Sequence, residues 1–296
     1  MQRTAAVLTG GVVLAVAAFW WLTRPEPLDA DTIDRLQALD TDPLRGEAVF
    51  WAGGCAGCHI APGADDDDRP VLSGGQRFET AFGVFVAPNI SPDPDHGIGG
   101  WDRAGFANAM MRGISPQGTH YYPAFPYAAY ARAELQDMAD LQAFMATLPA
   151  SDAVAPDHEL AFPFGFRRGI GLWKWRYLRA DWVLAGELSD EEQRGRYLVE
   201  ALAHCAECHT PRDAFGGLRR DAWMEGAPNL SGRGRIPAIT SDALGWSQQD
   251  IALYLESGFT PSFDVAGGSM AAVVRAMARL DPAARESIAA YLLALD

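Results

Sequence analysis

Two short runs concentrate the reactive side chains of this sequence: "GGCAGCHIAPG" at residues 53–63 and "AHCAECHTPRD" at residues 203–213. Together they use all four cysteines and two of the six histidines in 296 residues. Each reads Cys-x-x-Cys-His: Cys55, Cys58 and His59, then Cys205, Cys208 and His209. On a helical turn, positions i and i+3 share a face, so two thiols can add to two vinyl groups along one edge of a porphyrin. The adjacent histidine then offers an imidazole nitrogen to the iron. Each run therefore predicts one covalently attached c-type heme. A zinc ribbon would need its cysteine pairs about 15–20 residues apart, far closer than these two pairs lie. A thioredoxin-type site needs one such pair beside a βαβ pattern, and structural disulfides do not call for a histidine after each pair.

The elements that must position these groups repeat. "APNISPDPDHGIGGWDRAGFANAMMRGISP", Ala87 to Pro116, has a counterpart in "IPAITSDALGWSQQDIALYLESGFTP", Ile236 to Pro261. In each, a Trp precedes an amphipathic segment that ends at a Gly: Trp101 to Gly113, and Trp246 to Gly258. Each half closes with an apolar-periodic helix, Ala133 to Leu148 and Asp281 to Leu295, the latter with Asp281 placed as N-cap and Pro282 at the first helical position. Strand-like alternation is scarce. The prediction is an all-α protein of two tandem class I-like cytochrome c domains, at 42–149 and 188–296.

An electron-transfer heme takes a second axial ligand, commonly Met. In the second half Met270 follows a glycine-rich turn and precedes the last helix, where a thioether can reach the iron; Met277 is the rival and reads as packing. The same offset from Gly113 falls on Phe125, which cannot ligate iron. Three options stand for the first heme: His120, one of Met110 and Met111, or an open position covered by Phe125. His96, His158 and His204 take no assigned role.

The chain carries a net charge of −14 and a pI near 4.8, which argues against a nucleic-acid partner and favours basic protein partners. The acidic runs at Ala64 to Asp68 and Asp29 to Asp34 read as solvated loops. The charge-free stretch Thr4 to Leu22, between Arg3 and Arg24, predicts an N-terminal transmembrane anchor within residues 1–24, with a cleaved signal peptide as the alternative. Either places the remainder outside the cytoplasm. Residues 150–187 are aromatic-rich and locally basic. They read either as an ordered connector packing its aromatics over both domains or as a docking or membrane-facing surface.

"CAGCH", "APNISPDPDHGIGGW", "YYPAFPY" and "CAECHTPRD" together resemble the di-heme and multi-heme cytochrome c subunits of membrane-associated bacterial dehydrogenases, of the alcohol and gluconate type. The resemblance covers roughly residues 42 to 296. It implies an electron carrier on the periplasmic side of the inner membrane, with a dehydrogenase as donor and a quinone, soluble cytochrome or oxidase as acceptor. Members often read "YPAMPY", with the Met as distal ligand; here that position is Phe125, in agreement with the internal repeat. No catalytic residue is expected on this reading. The competing one is a di-heme peroxidase-like enzyme with an open site at the first heme. A heme-based gas sensor would need an output domain that the sequence lacks.

Overall fold

The computed structural model describes residues 2–64, 68–229 and 234–295, with side chains from residue 9. The acidic residues 65–67 lie outside these.

Most of the described chain is helical. The first half holds α1 (Gln2–Leu22), α2 (Ala30–Gln37), α3 (Pro43–Ala52), α4 (Cys55–His59), α5 (Arg103–Arg112), α6 (Tyr127–Tyr130) and α7 (Leu135–Met145). The connector supplies α8 (Ile170–Tyr177), and the second half α9 (Asp190–Tyr197), α10 (Ala206–His209), α11 (Ser241–Leu244), α12 (Gln248–Ser257), α13 (Ser269–Met277) and α14 (Pro282–Leu293). Local chemistry sets the ends. Asp42 caps α3 with Pro43 in its first turn, Ser189 and Glu192 form a capping box on α9, and Asp281 accepts from Ala284 N at 2.6 Å to start α14. Helices α5 and α12 both stop at a left-handed glycine, Gly113 (φ 59°) and Gly258 (φ 78°).

Short strands break the expected all-α pattern. A hairpin of β1 (Arg77–Thr80) and β2 (Gly83–Val86) takes β3 (Glu159–Leu160) from the connector as a third antiparallel strand. In the second half β4 (Ala227–Pro228) pairs with β5 (Arg235–Ile236). These strands are too short for periodicity to reveal them.

In each half the entry helix crosses the closing helix where a glycine replaces a side chain. A Cβ on Gly46 of α3 would lie 2.0 Å from Asp140 O of α7, and one on Gly195 of α9 would lie 1.9 Å from Ser287 O of α14. Buried side chains of the two halves meet. One cluster of buried side chains runs from Val49, Phe50 and Trp51 through Met138 and Leu141 to Val199, Leu202, Ile288 and Tyr291. Polar ties cross the same boundary. The Arg132 guanidinium lies 3.8 Å from the Glu200 carboxylate, Tyr197 Oη accepts from Glu134 N, and Arg279 sits 4.2 Å over the Trp51 ring.

The connector is ordered and packs its aromatics on both halves, Trp173 edge-on to Tyr127 and Trp182 edge-on to Tyr197. Lys174 donates to Arg112 O and Gly113 O at 2.6 and 2.7 Å, satisfying carbonyls that the end of α5 leaves free.

Among the described residues no helix is long and apolar enough to cross a membrane. The expected transmembrane anchor, Thr4 to Leu22, is therefore not supported. Its side chains up to residue 8 lie outside the described ones. The described part of α1 leaves Val12, Val13, Leu14, Val16, Trp20 and Trp21 exposed. Its last turn docks on the connector, with Phe19 stacked on Phe166 and Arg168 over the Trp20 ring.

Candidate functional site

The two Cys-x-x-Cys-His runs form short helical turns that follow directly on the entry helices. In the first half α3 ends at Gly53, the chain passes through left-handed Gly54 (φ 60°), and α4 carries Cys55, Cys58 and His59. In the second half α9 continues as a π-helical segment, Leu198–Leu202, then passes through left-handed His204 (φ 43°) into Cys205 and α10. None of the four cysteines is in a disulfide. Burial pushes the Cys55 and Cys205 thiols up to about 12, and raises those of Cys58 and Cys208 as well.

Each histidine is held through one ring nitrogen. His59 Nδ1 lies 2.8 Å from Pro88 O, and His209 Nδ1 lies 2.8 Å from Pro237 O. A carbonyl can only accept, so Nδ1 carries the proton and the Nε2 lone pair is left free. Burial lowers both imidazole pKa values, opposed in part by these hydrogen bonds, so the rings are neutral at physiological pH. A neutral imidazole oriented by a backbone carbonyl is the donor state that iron ligation requires.

The loops around each histidine match bond for bond. Gly74 N donates to His59 O and Gly226 N to His209 O, both at 2.7 Å. Ile90 N donates to Leu72 O, as Ile239 N does to Met224 O. On the far side of each repeat, isolated bridges pair Ile114 with His120 and Phe259 with Val265. Tyr121 N reaches Gly113 O as Ala266 N reaches Gly258 O. That register sets His120 against Val265 and Phe125 against Met270.

The residues expected as axial ligands fall in different surroundings. Met270 opens α13 and is partly buried against the core, while Met277 is fully packed within it. Phe125 is likewise partly buried, ringed by Tyr121, Tyr127 and Tyr130 at centroid distances of 6.0 to 6.2 Å. Met110 and Met111 are core side chains on α5. His120 is buried and turned toward the end of α1, its Nε2 2.9 Å from Thr23 O. Burial lowers its pKa, and the nearby Lys174 and Arg168 cations add to the effect. His96 is held in its loop by Asp93, and His158 packs on Phe85 while its Nδ1 accepts from Val86 N.

Sequence reasoning gave His204 no role, yet it lies between the two turns. Its Nε2 is 3.1 Å from Gly53 O, and the Tyr130 ring packs edge-on against it at 5.9 Å. The signal available beforehand was the repeat itself, which aligns His204 with Gly54 at a left-handed turn. A cavity of about 80 Å³ beside it is lined by Arg132, Trp173, Glu200, Glu207 and Trp223. Among the described residues no group of three or more His, Cys, Asp or Glu side chains could hold a bare metal ion. The donor sets instead fit a porphyrin carried on two thiols with its iron on one imidazole: helically spaced Sγ atoms and a free Nε2, in each half.

Comparison with known proteins agrees. Residues 44–149 match the family model for cytochrome c. A diheme cytochrome c-type protein of Cereibacter sphaeroides is 52% identical over 292 residues, covering 99% of this chain and 98% of that protein. The fructose dehydrogenase cytochrome subunit of Gluconobacter japonicus is 36% identical over 84% of this chain. The gluconate 2-dehydrogenase cytochrome c subunit of Pantoea cypripedii is 32% identical over 88% of it. The chain spans 51% and 60% of the length of those two subunits.

Proposed function

We propose, from the premise that this chain belongs to the cytochrome c family and shares the covalently bound c-type heme of its diheme relative, that it is a two-heme electron carrier serving a dehydrogenase. One observation carries the reading: two histidines, one in each half, each follow a Cys-x-x-Cys pair and each hold Nδ1 on a proline carbonyl while leaving Nε2 free. Bound c-type heme supplies a one-electron ferric/ferrous couple. The protein's part is to hold, orient and screen it.

Cys55 and Cys58 would hold the first heme by two thioethers, with His59 offering Nε2 to its iron. Cys205, Cys208 and His209 would do the same for the second. Met270 would offer its thioether to the iron of the second. Phe125, at the matching position, would screen the first heme without bonding to it, while His120 is turned toward Thr23 O through its Nε2. The attachment sites belong to two cytochrome c repeats, 42–149 and 188–296, joined by 150–187. Electrons come from a partner dehydrogenase, a reading supported by relatives that are cytochrome subunits of fructose and gluconate dehydrogenases, and pass on to a respiratory acceptor on the periplasmic side of the inner membrane. The exposed Trp20 and Trp21 at the foot of α1, with the exposed Phe166 stacked on Phe19 beside them, support a contact with that membrane's surface.

Phe125 also favours a second reading, a peroxidase-like enzyme open at the first heme. Such chemistry needs a general acid or base over the iron. The rings packed on Phe125 are tyrosines, and burial raises the Tyr121, Tyr127 and Tyr130 hydroxyls away from that task. The carrier reading is the stronger.

The spectrum of the dithionite-reduced protein with and without carbon monoxide tests the ligation, alongside heme stoichiometry. Two hemes per chain are expected, with a carbon monoxide shift amounting to one of them. No shift would mean that the first iron holds a firm sixth ligand, and one heme per chain would overturn the two-site reading. Peroxide turnover with a reduced donor would move the case to the enzyme.

A further inference from the structure

We infer that His204 is a brace between the two attachment turns, fixing the separation and angle of the hemes they carry. This rests on the reading above that each turn carries one heme.

The argument begins with the backbone. Residues preceding Cys55 and Cys205 both sit in the left-handed region, Gly54 at φ 60° and His204 at φ 43°. Glycine takes that conformation freely, whereas a side chain is strained there. The first half uses glycine; the second bears the strain and presents an imidazole. Strain of this kind persists where the surrounding structure over-determines it.

That imidazole points at the other turn. Its Nε2 donates to Gly53 O at 3.1 Å, joining residues 151 apart in sequence. Gly53 lies two residues before Cys55, and His204 one before Cys205, so the bond runs from root to root of the two turns. Tyr130 of α6 supports it from the side, with its ring edge-on to the His204 imidazole and its hydroxyl 3.5 Å from the same Gly53 carbonyl. Burial lowers the His204 pKa, which keeps the ring neutral and the bond a plain N–H donation.

The two turns are close enough for the brace to matter. The second half approaches α4 from α13, since a Cβ on Gly57 would meet Ala272 at 3.6 Å. A hydrogen bond between the roots of two such neighbouring turns sets how the attached rings face one another.

The test uses the heme-loaded chain and two variants. His204→Gly relaxes the backbone and removes the bond, so its effects on folding offset; His204→Asn tolerates the same backbone and keeps a shorter donor. Heme per chain is measured by pyridine hemochrome and intact mass. The readout is circular dichroism in the Soret band, where two close hemes give a paired positive and negative signal set by their separation and angle. The expected order is parent, then His204→Asn, then His204→Gly, with the last losing most of the paired signal at unchanged stoichiometry. A His204→Gly protein with the parent's signal overturns the brace, as does a parent with two hemes and no paired signal. Should His204→Gly not take up both hemes, His204→Asn decides: a weakened signal supports the brace and a parent-like one overturns it. A parent with fewer than two hemes sinks the two-site reading itself, and that is seen before any variant is made.

Discussion

At matching positions of the repeat the two halves present different side chains, Met270 in one and Phe125 in the other. A thioether stabilises ferrous iron and raises the potential, while a phenyl ring gives no bond at all. On the proposed ligation, Met270→His should lower one of the two midpoint potentials by on the order of 100 mV and leave the other in place. A potentiometric titration followed in the visible band checks it. Two unchanged couples would remove Met270 from the iron. Residues of this kind were legible in the sequence because the repeat supplied a ruler. Gly113 and Gly258 end matching helices, and the same offset from each lands on Phe125 and Met270. His120 was not legible, because its partner, Thr23 O, lies 97 residues away in a segment read as membrane anchor. The role of His204 escaped for the same reason: Gly53 is brought to it only by the meeting of the two halves.

At the scale of elements, the histidines depend on how an entry helix lies against a closing helix. Gly46 and Gly195 let backbones touch where α3 meets α7 and α9 meets α14. Gly46→Ala and Gly195→Ala each place a methyl against a carbonyl oxygen that cannot withdraw. Each should cost stability at or above the upper end of the roughly 1–3 kcal/mol usual for overpacking. Urea titration of the heme-loaded variants measures it, and a change under about 0.5 kcal/mol, the usual scale of a surface substitution, would show that the helices slide apart cheaply. The closing helices were readable from apolar periodicity and from Asp281–Pro282, and both formed within a few residues of their expected ends. The strands were not. β3 forms only because the connector returns to β2, and nothing within Glu159–Leu160 announces that.

For the whole molecule, the shared core outweighs the repeat. Side chains from both halves pack in one cluster, and the ties Arg132–Glu200, Tyr197–Glu134 and Arg279–Trp51 cross between them. Chains beyond about 150 residues usually unfold in more than one step. Here calorimetry of the heme-loaded protein should give a single endotherm, and residues 42–149 made alone should fail to reach the native fold. Two well-separated endotherms would show that each half stands by itself. Two tandem units were the natural reading of a repeated sequence. What the repeat could not convey is that buried side chains of the two halves join in one cluster.

The interleaved core also bears on inheritance. A repeat with a linker between its copies looks made for exchange, one half traded for a relative's by recombination inside 150–187. Such a chimera would bring together two surfaces selected against different neighbours. It would also break the pairing of Gly53 with His204, whose partners sit on opposite sides of the crossover. The smallest heritable unit is therefore the pair. Lineages that add or lose hemes should do so outside it, and the connector, for all its surface exposure, should be among the least permissive places in the chain to cut and join.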